Sequence, residues 1–306
     1  MGVLPLGMLA SMAAGCGPGD QSASGSASVP EQRKLTDFGL QLSTITPLLM
    51  ADFEGTLAQV AAMGYRQVEF SALGFLGRPV PLVADLLAAN GLTAPVGRIS
   101  PKLPESFAAM SREDQMAAFR TYAGPDYLLD NIRFGLQGAA ALGQKHLVLP
   151  ALMPDAFATG ARIQESIDLL RQAGELCAAA GVQFGYHNHD WEFKPVDGVV
   201  PFDLMLESLE PELMSWQLDV YWVTKAGLDP LKYLSANVGR VPSCHLKDIS
   251  ADGDFEDVGH GLIDFPSFVA AAEASGTEYY FVERDNPPEP MRTAERACAY
   301  LQQMVY

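Results

Sequence analysis

Histidine, cysteine and positive charge are all scarce in this 306-residue chain, and each shortage narrows what it can be. The cysteines, Cys16, Cys177, Cys244 and Cys298, are far apart with no CxxC pair. That excludes a zinc ribbon and gives no basis for a disulfide scaffold. Cys177 and Cys298 fall in Ala-rich helical patterns and are expected to be buried free thiols. Lys and Arg number 20 against 37 Asp and Glu, for a formal net charge of −17 and a pI near 4.6. Such a surface repels phosphate backbones, so nucleic acid is not an expected partner. An anionic small substrate is not excluded, because a metal or one Lys can reverse the field inside a pocket. With 48% apolar and 19% charged residues, the composition is that of an ordinary soluble globular protein. Its length suits one α/β barrel or two smaller domains.

The apolar stretch over residues 1–16, MGVLPLGMLASMAAGC, is too short to span a bilayer and ends in small residues before Cys16. A Gly/Ser/Pro-rich stretch follows, and residues 17–35 have the composition of a flexible linker. This order resembles a bacterial lipoprotein signal, cleaved before a cysteine that receives lipid. No Lys or Arg precedes the apolar run, so the usual positive leader is missing. The expectation is a periplasmic, envelope-anchored protein held by lipid at Cys16. The alternative is a disordered extension on a cytosolic enzyme.

From residue 36 to 306 the chain reads as one domain with no internal repeat. Short runs rich in β-formers alternate with Ala/Leu-rich helical stretches, the pattern of βα units around a parallel sheet. The expected strands are Phe38–Ser43, Arg66–Phe70, Thr93–Ile99, Lys145–Pro150, Val182–His187, Ser215–Asp219, Val241–Leu246 and Tyr279–Glu283. Several follow a helix that stops at glycine, as in AAMGYRQVEF, AANGLTAPVG and AAAGVQFGYH. Eight such units over about 270 residues fit a single (β/α)₈ TIM barrel. The long third connection, residues 100–144, has room for an extra helix over SREDQMAAFRTYAG.

In such a barrel the loops after the strands converge on one mouth, so polar residues at strand ends carry the interest. Glu69 ends the second strand, and His187, Asn188 and His189 end the fifth. Asp219 ends the sixth, His245, Lys247 and Asp248 the seventh, and Glu283 and Asp285 the eighth. His146 sits at a strand start, where a structural role is expected. A lone Asp or His at a strand end is most often a cap or a satisfied hydrogen-bonding group. The coincidence across four neighbouring strands is what suggests convergence on one point. A mixed imidazole and carboxylate set suits one divalent cation, Mn, Zn, Co, Fe or Mg.

With these residues in view, the chain resembles the xylose-isomerase-like TIM barrels, the sugar phosphate isomerase/epimerase group. The resemblance runs from about Phe38 to Gln303 through GYRQVEF, YHNHDWEF, LDVYW, CHLKD, VGHGLIDF and FVERD. It implies a barrel with one divalent metal held by Asp219, His245 and Glu283, with His187 as the fourth ligand by position. Many relatives place a Glu where this chain has His187, so a scheme with carboxylates on both faces of an enediolate is replaced by a mixed one. Glu283, His189 and Glu69 are then the candidate proton movers, and Lys247 the group that steadies an oxyanion.

The implied function is a metal-dependent isomerase or epimerase that enolises a small sugar or keto-sugar. One alternative is elimination from a 3-keto-glycoside by a lyase or hydratase on the same scaffold. Another is a sugar-binding lipoprotein without turnover. An apurinic-site endonuclease, from the wider superfamily, needs three metals and a basic face, which −17 opposes. Asn188 and Arg98 are expected at the substrate, although many relatives present a His where Arg98 stands. Trp222 either stacks on a sugar face or belongs to the core. His260, in VGHGLIDF, either meets substrate or sits in a turn that needs its two glycines. The oligomeric state is not legible.

Overall fold

A computed structural model describes residues 32–306. The lipoprotein-like segment ending at Cys16 and most of the linker lie outside the described residues. The backbones of Arg33 and Tyr306 exchange two hydrogen bonds of 2.9 and 3.0 Å, and Leu35 is buried in the core.

All eight expected strands form, seven of them a little shorter than their apolar runs and the sixth with the expected bounds. They are β1 Gly39–Gln41, β2 Gln67–Glu69, β3 Val96–Arg98, β4 His146–Leu149, β5 Gln183–His187, β6 Ser215–Asp219, β7 Ser243–Leu246 and, as the eighth barrel strand, β10 Tyr279–Val282. A two-stranded hairpin that the hydrophobic pattern does not signal, β8 Asp248–Ile249 and β9 Phe255–Glu256, lies between β7 and β10. The barrel order is β2-β1-β10-β7-β6-β5-β4-β3, with every pair parallel. Between β2 and β3 the ring closes through Val68 N–H to Thr93 O at 2.8 Å and Thr93 N–H to Arg66 O at 3.0 Å. This is a nearly closed (β/α)₈ barrel.

Helices flank the strands, and their ends follow the expected chemistry. The five glycines that stop a helix before a strand, Gly64, Gly91, Gly143, Gly181 and Gly276, all have positive φ. The extra helix of the third connection spans Arg112–Tyr122 and is capped by Ser111, whose hydroxyl accepts from the Asp114 N–H. It buries none of its residues, so it lies on the barrel without joining the core.

Alternation along each strand divides the barrel into an outer apolar shell and a filled lumen. Trp216, Leu218, Cys244, Leu246, Tyr280 and Val282 face outward into the main core. Inside, Val96, Val148 and Phe281 form a separate apolar plug. Phe281 fits because β1 carries a glycine opposite it: a Cβ on Gly39 would stand 2.5 Å from its ring. Arg98 and Glu283, two positions beyond Val96 and Phe281, belong to a polar layer above the plug. Cys177 and Cys298 are free and buried, as expected, and so is Cys244.

Gly174 lies inside the helix Gly160–Ala179, where propensity alone favours alanine by about 1 kcal/mol. A Cβ there would come 2.2 Å from the Leu213 carbonyl oxygen, and backbone cannot swing aside. Overpacking costs of roughly 1–3 kcal/mol outweigh the propensity gain. Gly174→Ala is therefore expected to lower the unfolding free energy, read by denaturant titration; a more stable variant would contradict this packing.

Candidate metal centre

Four side chains at the ends of neighbouring strands meet at one point. One ligand atom each from His187, Asp219, His245 and Glu283 lies within 4.8 Å of the others, and all four residues are buried. These are the four that the family resemblance implied.

Each is oriented by a hydrogen bond behind it. Gln217, two residues before Asp219 on the same face of β6, accepts from the His187 Nδ1–H at 3.1 Å. Its Nε2 donates to Glu69 Oε1 at 2.7 Å and to Ser243 Oγ at 3.3 Å. With its Nδ1 proton held by Gln217, His187 turns a bare Nε2 toward Asp219 Oδ2, 3.7 Å away. His245 lies between two acids, with Nε2 2.7 Å from Glu69 Oε2 and Nδ1 2.8 Å from Glu283 Oε2. The other oxygen of Glu283 accepts from Ser43 Oγ at 2.8 Å. Asp219 Oδ2 is buried with no hydrogen bond of its own. Lys247 faces it at 3.1 Å and also reaches Glu283 at 2.8 Å and Asp285 at 3.0 Å.

The charges follow from burial and from these neighbours. Burial would keep His245 neutral, but Glu69 and Glu283 on either side raise its pKa to about 9. Burial would raise Glu283, yet Lys247 and His245 hold it well below the usual carboxylate range. Glu69 is likewise opposed by burial and lowered by His245 and Arg98. Asp219 is raised to about 6, because burial outweighs the attraction of Lys247. His187 and His189 are held neutral by burial and then by nearby cations, Arg98 for His187 and Lys247 for His189.

This donor set fits a divalent cation. Two imidazoles and two carboxylates converge, Asp219 Oδ2 has no hydrogen bond and only the Lys247 ammonium opposite it, and carboxylates lie beyond the ligands. His245 backed by Glu69 has the carboxylate–histidine pattern that fixes a ring for metal ligation. The ligands would be His187, Asp219, His245 and Glu283.

The remaining expected residues fall in different places. Arg98 reaches the polar layer, donating to Glu69 Oε2 at 3.3 Å and Gln217 Oε1 at 3.1 Å. Glu69 is fully buried behind His245, so its geometry suits holding that ring more than meeting a substrate. Asn188 is also fully buried. Its Oδ1 accepts from Trp216 Nε1 at 2.8 Å and from the Asp219 N–H at 2.9 Å, and its Nδ2 faces the Asp219 carbonyl at 3.4 Å. Asn188 is expected at the substrate; in the structure its amide is spent on fixing Asp219. His189 lines the mouth cavity, stacked on Trp191 with ring centroids 4.2 Å apart. Trp222 forms part of an aromatic wall with His189 and Phe255, and Lys247 Nζ lies 5.6 Å from the Trp222 and Phe255 rings.

His260 is exposed and lines a surface depression with Arg296 and Tyr300, apart from the cluster. Its flanking glycines serve the turn, since a Cβ on Gly259 would meet the Tyr300 ring at 2.2 Å. Asp248 holds this loop by accepting four backbone N–H groups, from Ile249, Gly259, Gly261 and Ile263.

Residues 57–304 match a family described as the xylose isomerase-like TIM barrel. The chain belongs to that family. It is 24% identical to an inosose dehydratase of Geobacillus kaustophilus over 278 residues, covering 82% of this chain and 86% of that one. An inosose dehydratase of Geobacillus thermodenitrificans is 27% identical over 159 residues, which is 45% of this chain and 53% of the relative, about half its length. In fold, the chain is similar to a sugar phosphate isomerase/epimerase from Parabacteroides distasonis. The TM-score is 0.70 at 23% identity, with 92% of this chain and 97% of the other covered. The xylose isomerase-like barrel therefore stands, with its polar layer at the mouth.

Sequence reasoning missed Gln217, Ser43 and Gln41, whose Nε2 donates to Glu69 at 3.1 Å. The available signal was the strand period, because Gln217 shares the face of Asp219 in SWQLD. Gln217→Leu removes the acceptor that sets the His187 tautomer. Losing such an outer partner typically weakens metal binding about 10–100-fold. Titration of the metal-free protein with Mn²⁺ measures this, and unchanged affinity would refute the assignment.

Glu192 carries a separate prediction. It accepts from Tyr186 Oη at 2.8 Å and the His189 N–H at 2.9 Å, holding the YHNH turn. Burial raises its pKa to about 8. An acid raised on folding binds more protons in the folded state. Its stabilising contribution is whole below the unfolded value of about 4.3 and is lost as pH rises through 8. Glu192→Gln mimics the protonated acid, so the fall in stability between pH 5 and pH 8 should shrink. Parallel pH slopes for variant and parent would count against a protonated Glu192.

Proposed function

We propose that the protein is a divalent-metal-dependent enzyme that enolises a keto-polyol and then expels a β-oxygen substituent. The observation that carries this is the four-residue cluster with Lys247 beside it, at the floor of a cavity of about 320 Å³. When bound there, a divalent cation supplies Lewis acidity to a carbonyl. The protein residues do the rest. Lys247, whose pKa the surrounding carboxylates raise despite its burial, keeps an ammonium where an oxyanion would form. His189 lines the cavity with its Nδ1 free of any hydrogen bond, so its ring is the group placed to take the proton from carbon. The electron pair of that C–H bond forms the new double bond. The departing oxygen then recovers the proton from His189 and leaves as water or an alcohol.

Two features support elimination over epimerisation. Epimerisation wants a proton donor and acceptor on opposite faces, and the fifth strand supplies His187 in place of a carboxylate. Glu69, the other acid that could serve, is fully buried behind His245. The likeness to inosose dehydratases supports the same outcome and a keto-polyol as substrate.

Incubation of Mn²⁺-loaded protein with an inosose or another keto-polyol in deuterated water is the test. Elimination predicts formation of a dehydrated, conjugated product. Asp219→Ala and His245→Ala should lose at least 100-fold in rate and bind less metal. Deuterium uptake without loss of the oxygen substituent would point to isomerisation instead. Full activity in both variants would sink the metal-dependent reading.

A further inference from the structure

The cavity above the cluster has two ends of opposite chemistry. The inner end presents Arg98, His187, His189, Lys247, Glu283 and Asp285. The outer end, under the extra helix, is lined mainly by Ile99, Phe119, Leu128, Leu149 and Leu152, with the solvent-exposed Arg120 beside Phe119.

Apart from Arg120, which stays in contact with solvent, the polar groups near the outer end are already spent. The Asn131 side chain accepts from the Lys102 N–H at 2.8 Å and donates to the Tyr122 carbonyl at 2.6 Å. The Leu152 N–H donates to Tyr186 Oη at 3.2 Å, and its carbonyl accepts from Trp191 Nε1 at 3.1 Å. The Ile99 N–H is bonded to Val148 O at 2.8 Å. Hydroxyls placed here would lose water without gaining partners, which is unfavourable, whereas apolar surface gains from the same burial. At about 320 Å³ the space falls in the range of small-ligand pockets, and the buried charged groups gathered at the inner end would fix the ligand's direction.

We infer that the substrate is a two-part molecule: a keto-polyol ring at the inner end and an apolar aryl or alkyl substituent in the Ile99–Phe119–Leu128–Leu152 end. The polyol half rests on the proposed function, whereas the apolar half rests on the cavity alone. A bare polyol such as an inosose would leave the outer end unused. Phe119 is the recognition residue most open to change, because it projects from a helix that buries nothing.

Calorimetry with Mn²⁺-loaded protein, using phenyl β-glucoside and methyl β-glucoside as unreactive probes, tests the apolar half without requiring turnover. The phenyl glucoside is expected to bind at least tenfold more tightly. Phe119→Asp should reduce phenyl binding to the methyl level, with methyl binding and thermal unfolding unchanged. Equal binding of the two probes, no phenyl binding, or an undiminished phenyl preference in Phe119→Asp would overturn the inference. A phenyl preference with no turnover of any keto-sugar would defeat the proposed reaction and leave the two-part site standing. Rapid turnover of a bare inosose without phenyl preference would do the reverse.

Discussion

Charge buried in the barrel lumen is the constraint around which the rest of this structure is arranged. Glu69, Asp219, His245, Lys247 and Glu283 are all removed from water, and an isolated ion in such a place is very costly. Each is tolerated because its neighbours carry opposite charge or a hydrogen bond. His245 shares protons with two carboxylates, and Lys247 contacts three. Removing one partner from such a set usually costs more than the pairing itself gains. The layer is therefore cooperative: its members hold one another in place and fix the directions in which donor atoms point.

That layer needs a floor and an anchorage, and the apolar structure supplies both. Phe281, Val96 and Val148 fill the lumen beneath it, and the His245 ring meets Phe281 edge-on at 6.2 Å. Outside the strands, Trp216 is buried against Phe202 and sends its indole N–H to Asn188, which in turn holds the backbone of Asp219. Burial of one aromatic residue in the outer core thus reaches a ligand candidate in two hydrogen bonds. The rigidity that a preorganised site requires comes from the scaffold, by a path that can be named.

Much of this was legible in the sequence, and the reasons are physical. Strands appear as apolar runs, helix ends as glycines forced to positive φ, and ligands as polar residues at successive strand ends. These signals are local, and all eight strands with His187, Asp219, His245 and Glu283 follow from them or from the family they resemble. What was not legible depends on register across the barrel. An amide such as Gln217 has no charge to mark it, and its role exists only because Glu69, Arg98 and His187 arrive from three other strands. Asn188 and His260 look alike in sequence, each a polar residue in a motif near a strand end. One turns inward to Asp219, and the other rides an exposed turn that Asp248 fastens. The short hairpin was invisible because four paired residues make no hydrophobic pattern.

The division of labour between layer and rim follows from the same energetics. A residue of the lumen cannot change alone without leaving a charge or amide unpaired, so the chemistry is fixed by mutual dependence. The helix Arg112–Tyr122 is bound by no such rule, since none of its residues is buried and its nearest polar groups are already satisfied. It can alter the outer end of the cavity without disturbing Lys247 or the ligand set. A barrel built this way can keep one polar centre while the connection after the third strand changes what can reach it. On that argument, reaction type belongs to the residues that satisfy one another, and substrate choice to those that satisfy nothing until a ligand arrives.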